Sequence, residues 1–267
     1  MSTTCPPLVL AVAGHDPSGG AGIQADIEAI GANGAAAATA VTCLTVQDTR
    51  DVRRLVPVDP ELTLAQVEAV LSDRAVSVVK IGLLGSADLA RGLADLLDRR
   101  APGVTVVLDP VLRAGGGSEL ADAALRQALT DVLMPRVALA TPNLPEACRL
   151  TGAAGPESCA RALQARGAAW VLVTGTHDGG GPTVTNRLYG PDGEALASEW
   201  ARLPQEYHGS GCTLASATAA LLARGLGMEN AVERAQAYTW HALAAGCRPG
   251  RGQWLPDRLH RTRGSAA

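Results

Sequence analysis

Residues 207–214 read Tyr207-His208-Gly209-Ser210-Gly211-Cys212-Thr213-Leu214, and the Ala-, Leu- and Ser-rich stretch that follows, Ala215 to Ala223, predicts a helix. Gly209 and Gly211 let the backbone turn tightly with no side chain in the way. The amides of Ser210, Gly211 and Cys212 can then all point one way at the start of the helix, where exposed N–H groups and the helix dipole favour an anion. Cys212 falls in the first turn, where the same dipole favours a thiolate. One loop could therefore hold a developing negative charge and supply a proton acceptor. A Gly-rich helix entry with a buried, inert cysteine has the same spelling, and the motif is short.

Other residues able to do chemistry stand at the ends of apolar runs. Leu8 to Ala13 predicts a buried parallel strand, followed by Gly14-His15-Asp16-Pro17-Ser18-Gly19-Gly20-Ala21-Gly22 and a helix from Ile23 to Gly31. Strand, Gly-rich turn and helix form the layout of a ligand-binding βα unit. The glycine spacing and Pro17 exclude a dinucleotide fingerprint, and no Gly-Lys-Ser/Thr follows to make a Walker A loop. Asp26 lies on that helix just past the turn, as a ligand contact or as a solvated helix charge. Gln47 ends a second strand, Ala36 to Val46. Lys80 lies inside a third, Ser77 to Leu84, where a lone Lys is expected to snorkel at a strand end. Asp109 closes a fourth, Val104 to Leu108, and faces the sheet crevice. Asn143 and Glu146 follow a short strand, Val137 to Ala140, and flank Pro145. They could point together at a hydrated Mg2+ or form a helix cap; the two are compatible.

The elements that position these residues alternate. Helices are predicted over Glu61 to Asp73, Asp88 to Arg100, Ala121 to Leu133, Cys159 to Gly167 and Ala231 to Gly246, with a further strand from Trp170 to Val173. Val184 to Leu188 and Ala195 to Arg202 read as a hairpin around Pro191-Asp192-Gly193. Arg248 to Ala267 reads as an irregular basic tail with no assignable role. The pattern predicts an α/β fold, a mainly parallel sheet with helices on both faces, in a single domain spanning residues 1–267. Right-handed crossovers place the strand C-termini on one edge, which gathers Gly14, Gln47, Asp109, Asn143, Thr174 and the Gly209 loop into one crevice.

Composition narrows the partners. The 267 residues are 47% hydrophobic but 3% aromatic with no Phe, so the core must be Ala, Leu and Val packing. A net charge of -3 gives no electrostatic reason to expect nucleic acid or an anionic membrane. No apolar run reaches the ~18 residues of a membrane span, and Met1 to Pro7 has no secretion signal. The six cysteines form no CxxC pair, and reduced thiols in a cytoplasm are the expectation.

An amide loop, an acid, an Asn/Glu pair for a metal and no Walker motif suit phosphoryl transfer, which needs positioning and charge stabilisation more than covalent help. The amides of Gly209 to Cys212 would hold the transferring phosphoryl group. Mg2+ would lie near Asp109 and Glu146, and Cys212 would accept the proton of the attacking hydroxyl.

The chain resembles the hydroxymethylpyrimidine/phosphomethylpyrimidine kinases of thiamine biosynthesis, in the ribokinase-like superfamily. The resemblance rests on Ala13 to Asp26, Gln47-Asp48-Thr49, Lys80-Ile81-Gly82-Leu83-Leu84, Leu108-Asp109-Pro110-Val111, Thr141 to Glu146 and His208 to Leu214, in family order. It implies a three-layer α/β/α fold, with the pyrimidine among Gly14, Asp26, Gln47, Leu83, Val111 and Cys212. Gln47 would hydrogen-bond the ring, and Cys212 would face the hydroxymethyl group. ATP would lie along the second half of the chain, past Thr174 and Thr176, with its terminal phosphates at Gly209, Ser210, Gly211 and Cys212. Two successive phosphorylations and a cytoplasmic homodimer are further implications. Where many members have Lys-Gly-Gly-His, this chain has Thr174-Gly175-Thr176-His177, which removes a positive charge beside the phosphates. Leu83 stands where Met is common, and Ser210 where Thr is usual. The rival readings are a pyridoxal-type kinase on the same fold and a pyrimidine-binding protein that lost turnover. A sugar kinase is disfavoured, because those usually carry Asp where Cys212 stands.

Overall fold

Strand β1 (Leu8–His15) is buried along its length up to Gly14. It pairs in parallel with β2 (Ala36–Gln47) on one side and β4 (Val76–Ile81) on the other. An unbroken apolar run suits that position, covered on both faces. The computed structural model describes residues 5–175 and 181–263. To β4 are added β5 (Thr105–Leu108), β6 (Leu139–Ala140) and β7 (Trp170–Val173), all parallel. Antiparallel strands finish both edges: β3 (Val52–Pro57) beside β2, and β8 (Thr183–Gly190) with β9 (Gly193–Ala201) beside β7. The order of the nine strands is β3-β2-β1-β4-β5-β6-β7-β8-β9.

Alternation along β1 sends side chains to two separate cores. Leu10 and Val12 pack with α2 (Pro60–Asp73), α3 (Ala87–Arg100), α4 (Ala123–Ala128), α5 (Leu144–Thr151) and α6 (Pro156–Gln164). Val9 and Ala11 pack with α1 (Gly22–Ala32), α7 (Ser210–Ala223) and α8 (Met228–Ala244). Thr213 to Leu221 of α7 are buried without a break, and Ala215, Ala217, Ala219 and Ala220 let α1 and α8 approach closely. The sheet reverses its direction of growth at β1 and β4, and in open α/β sheets the ligand crevice opens at that point.

Three expectations are corrected, and one strand is added. Strand β3 has no clean alternation to announce it, because Arg53 and Arg54 sit in its middle. The helix expected over Ala121 to Leu133 is α4, started by the Asp122 cap on Leu125 N–H (2.7 Å), followed by a wider π turn over Leu129–Leu133. A 3₁₀ turn carrying Pro135 then ends it. Lys80 does not snorkel: it is fully buried. The basic tail is ordered through α9 (His260–Arg263): Trp254 bridges Tyr207, Cys247 bridges Leu255, and Arg258 is 2% exposed.

Candidate active site

Helix α7 begins at a glycine that no other residue can replace without strain. Gly209 has φ +83°, and a methyl group there would run into Gly20 O. The N-cap carries no side chain to satisfy the first amides; the first one paired back is Thr213 N–H, to Gly209 O (3.0 Å). Ser210, Gly211 and Cys212 thus present N–H groups at the positive end of a 14-residue helix.

Asp109 faces this helix entry. A Cβ placed on Gly211 would stand 3.7 Å from its Oδ1, so glycine leaves the space before the carboxyl open. Asp109 is 4% exposed, and Oδ2 is buried with no hydrogen-bond partner among the described residues. Burial pushes its carboxyl up to about 6, against the pull of Lys80. Glu146 stands beside it on α5. Its Oε2 accepts from Asn143 N–H (3.0 Å) while Asn143 Oδ1 accepts from Glu146 N–H (2.9 Å), a complete capping box. Burial, and then the charge of Asp109, push Glu146 up to about 8.

Cys212 overturns the expectation of a dipole-favoured thiolate. The residue keeps some exposure, but the protein packed around the thiol desolvates it and pushes it up to about 12, with Lys80 opposing and Asp109 adding to the rise. Burial outweighs the helix terminus, and the resting group is a thiol next to the Asp109 carboxyl.

Beneath these groups lies a buried ion pair. Lys80 Nζ donates to Asp26 Oδ1 (2.7 Å), and Ser216 Oγ donates to the same oxygen (2.7 Å). Both charged side chains are fully buried, and Asp26 Oδ2 has no partner among the described residues. Desolvation opposes the Lys80 charge, but Asp26, Cys212 and Asp109 raise its pKa above the ordinary value. Gly82 makes room, since a Cβ there would lie 2.9 Å from Lys80 Nζ. Asp26 therefore sits below the crevice with its charge balanced by Lys80.

A third group joins the two glycine loops. His208 Nε2 lies 2.8 Å from Asp16 Oδ2 and 3.1 Å from Gln47 Nε2, and Thr45 Oγ1 donates to Gln47 Oε1 (2.9 Å). Asp16 also accepts from Ser18 N–H, Ser18 Oγ and Ala21 N–H. Burial would raise its pKa, but the hydrogen bonds from His208 and Ser18 hold it below the usual range. Leu83 lies against Gly14, 3.5 Å from where a Cβ would stand, and Val111 donates its amide to Asp109 O (2.9 Å). Thr174 follows β7 and bridges Asn143; Thr176 lies outside the described residues. A cavity of about 480 Å³ opens beside Tyr207-His208, lined by Arg50, Gly116, Glu206, Arg248 and Trp254, and not over Cys212. No helix among the described residues is long and apolar enough to cross a membrane.

The model of the phosphomethylpyrimidine kinase family matches residues 16–257. The chain belongs to this family. It is 39% identical over 268 residues to a hydroxymethylpyrimidine/phosphomethylpyrimidine kinase of Rhizobium meliloti, covering 95% of this chain and 97% of that one. It is 36% identical to the enzyme of that name from Escherichia coli, over 88% of this chain and 90% of the relative. Among solved structures it is similar to a pyridoxal kinase of Bacillus subtilis in an ADP complex, with a TM-score of 0.88 and 26% identity over 96% of this chain and 99% of that one. A phosphomethylpyrimidine kinase of Clostridium difficile gives a TM-score of 0.75 and 30% identity over 87% and 97%. These likenesses establish the ribokinase-like fold expected for the family.

Within this family member, sequence reasoning missed three groups. Asp16 and His208 lie inside the two glycine-rich motifs, and their positions there were a usable signal. Arg258, 46 residues beyond Cys212 in an irregular stretch, carried none.

Proposed function

We propose that this chain is an ATP-dependent kinase of 4-amino-5-hydroxymethyl-2-methylpyrimidine and of its monophosphate, acting in thiamine biosynthesis, built as one domain over residues 1–267. The observation that carries this reading is an uncapped helix N-terminus, Ser210 to Cys212, facing the buried carboxyl of Asp109. An anion acceptor opposite an acid is what phosphoryl transfer to a neutral hydroxyl needs.

The ring would lie among Gly14, Gln47, Leu83 and Val111, over Asp26, with its hydroxymethyl group toward Cys212. Amides of Gly209, Ser210, Gly211 and Cys212 would stabilise charge on the transferring group as it builds. Cys212, resting as a thiol, would receive the hydroxyl proton while passing its own to the neighbouring Asp109 carboxylate. Lys80, fixed by Asp26, would limit the negative charge this exchange builds up.

The donor set fits Mg2+. Asp109 Oδ2 is an orphaned buried oxygen, and Glu146 beside it is a second hard oxygen donor. Asp109 and Glu146, with Asn143 holding Glu146 in place, would bind the ion directly or through water. It would neutralise phosphate oxygens when bound. ATP would run past Thr174 and Thr176 toward Gly209 and Gly211.

A cytoplasmic homodimer belongs to the same reading. Leu44 and Val46 are each 50% exposed and Val56 is 38% exposed, on the outer face of the β2–β3 ribbon. That apolar stripe suits a second copy of the chain.

The likeness in shape to pyridoxal kinases favours a second reading, turnover of a pyridoxal-type ring. The test is mass analysis of products formed with Mg-ATP and either ring. Diphosphate product is the expected result. Monophosphate alone would tie the missing second step to Thr174, with Thr174→Lys expected to restore it. Turnover of pyridoxal alone would install the second reading, and turnover of neither would point to a binding protein. Cys212→Ala is expected to fold normally and lose most turnover; an unchanged kcat would remove Cys212 from the proton path.

A further inference from the structure

We propose that Arg258 is a positioning residue for phosphoryl transfer, which holds the amides of Ser210 to Cys212 in register with the first glycine loop. The inference rests on the kinase reading above and adds to it a residue from the C-terminal tail.

The Arg258 side chain is 1% exposed, and its donors are spent on both loops. Nε donates to Thr213 Oγ1 (2.8 Å), Nη1 to Gly19 O (3.3 Å), and Nη2 to Gly20 O. Thr213 Oγ1 in turn donates to Gly209 O (2.7 Å), the carbonyl at the N-cap of α7. Gly20 O is also the atom that a methyl group on Gly209 would strike. One planar cation thus fixes the distance between the loop at Gly19-Gly20 and the turn at Gly209. A Lys ammonium could not span these acceptors from one point, whereas the guanidinium fork matches them.

Stability alone is a poor reason for this arrangement. Its carboxylate partner among the described residues, Glu28, is 3.1 Å away, and the Glu28 side chain is 43% exposed. Replacing a buried ion pair whole by apolar groups of similar volume often costs little, so a buried charge is weak evidence for a stability role. Here the acceptors are the Gly19 and Gly20 carbonyls of the first glycine loop and the Thr213 hydroxyl on α7, next to Cys212, where Gly22 N–H also approaches the thiol. The rest of the tail braces the same place. Trp254 O accepts from His208 N–H (2.9 Å), Trp254 N–H donates to Glu206 O (2.9 Å), and a Cβ on Gly20 would meet Leu255. Tyr238 Oη donates to Arg258 O (2.8 Å) and anchors the tail to α8.

The consequence is a split between kcat and KM. The amides act on charge that develops in the transition state, so their misalignment lowers kcat. Gln47 and Leu83 are placed by β2 and the turn after β4, so KM for the pyrimidine is set elsewhere.

The test uses the full chain with Arg258→Ala, Arg258→Lys and Thr213→Val, assayed with whichever ring alcohol the wild type phosphorylates. Arg258→Ala is expected to lower kcat by about tenfold or more, with KM for the ring changed less than about threefold. Millimolar guanidinium chloride, well below denaturing levels, is expected to restore part of the kcat, and sodium chloride at equal ionic strength is not. Arg258→Lys should recover little. Thr213→Val keeps the cation and removes the link to Gly209, and should reproduce the kcat loss if Arg258→Ala fails to fold. Hydrogen exchange over residues 207–213 should rise in each variant while the sheet stays protected, a readout that needs no turnover. A folded Arg258→Ala protein with wild-type kcat and unchanged exchange would overturn the proposal. So would a loss that follows the unfolded fraction and ignores guanidinium. A wild type that phosphorylates no ring alcohol would instead count against the kinase reading, and the exchange result would still decide the role of Arg258.

Discussion

Glu146 stands beside the buried carboxyl of Asp109, and the buried cation Lys80 is already paired with Asp26. Glu146 holds its proton more tightly in the fold than in the unfolded chain, with a pKa of about 8 against 4.5. Its contribution to stability is therefore complete below about pH 4.5 and is lost as pH climbs through about 8. A divalent cation bound by the ionised pair would reverse that loss. The rise in Tm caused by magnesium chloride is expected to be small at pH 5, to grow toward pH 9, and to vanish in Glu146→Gln. An equal rise at both pH values would remove these carboxylates as the ion's ligands. At Cys212 the competition is settled by size. A helix terminus contributes roughly 0.3–1 kcal/mol at exposed sites, whereas burial shifts a pKa by up to several units of about 1.4 kcal/mol each. The motif named the residue types, but the groups that act on the thiol, Lys80 on β4, Asp109 after β5 and Gly22 and Asp26 on α1, lie 100 and more residues away in sequence. That is why the thiol's place was legible and its protonation state was not.

Single elements were legible wherever one pattern dominated. Trp170–Val173 matches its predicted bounds, and α7 follows the Gly loop as its composition demands. Failures came where a second element decides the outcome. Lys80 looks like an intrusion in β4 until Asp26 arrives from α1, and β3 becomes a strand because β2 offers it an edge. The Lys80–Asp26 pair makes a prediction at this scale. Lys80→Met leaves an uncompensated buried carboxylate and should cost about 3–5 kcal/mol. The double replacement Lys80→Met with Asp26→Leu should recover most of that. Urea unfolding of the wild type, the two single variants and the double variant checks it, and additive losses would show that the two charges do not depend on each other.

On the scale of the molecule, alternation along β2 gives one strand two duties. Thr45 and Gln47 turn toward His208, while Leu44 and Val46 turn outward. If the proposed homodimer forms through this ribbon, Leu44→Asp is expected to give monomer by light scattering, and to raise KM for the pyrimidine because the ribbon carrying Gln47 loses its support. A monomer with unchanged KM would separate the two duties, and an unchanged mass would move the interface elsewhere. The α/β layering and the edge where the site gathers were legible, since both follow from the order of strands and helices. The closure of the site by its tail was not, because Arg258 reaches Gly19 across 239 positions of sequence. That span orders events on the ribosome. Gly19, in the turn at Gly14 to Gly22, is made 239 positions before the group that fastens it. A nascent chain halted before residue 258 would hold every strand among the described residues and still present two unfastened loops, so the fastening waits on residues made long after the loops they join.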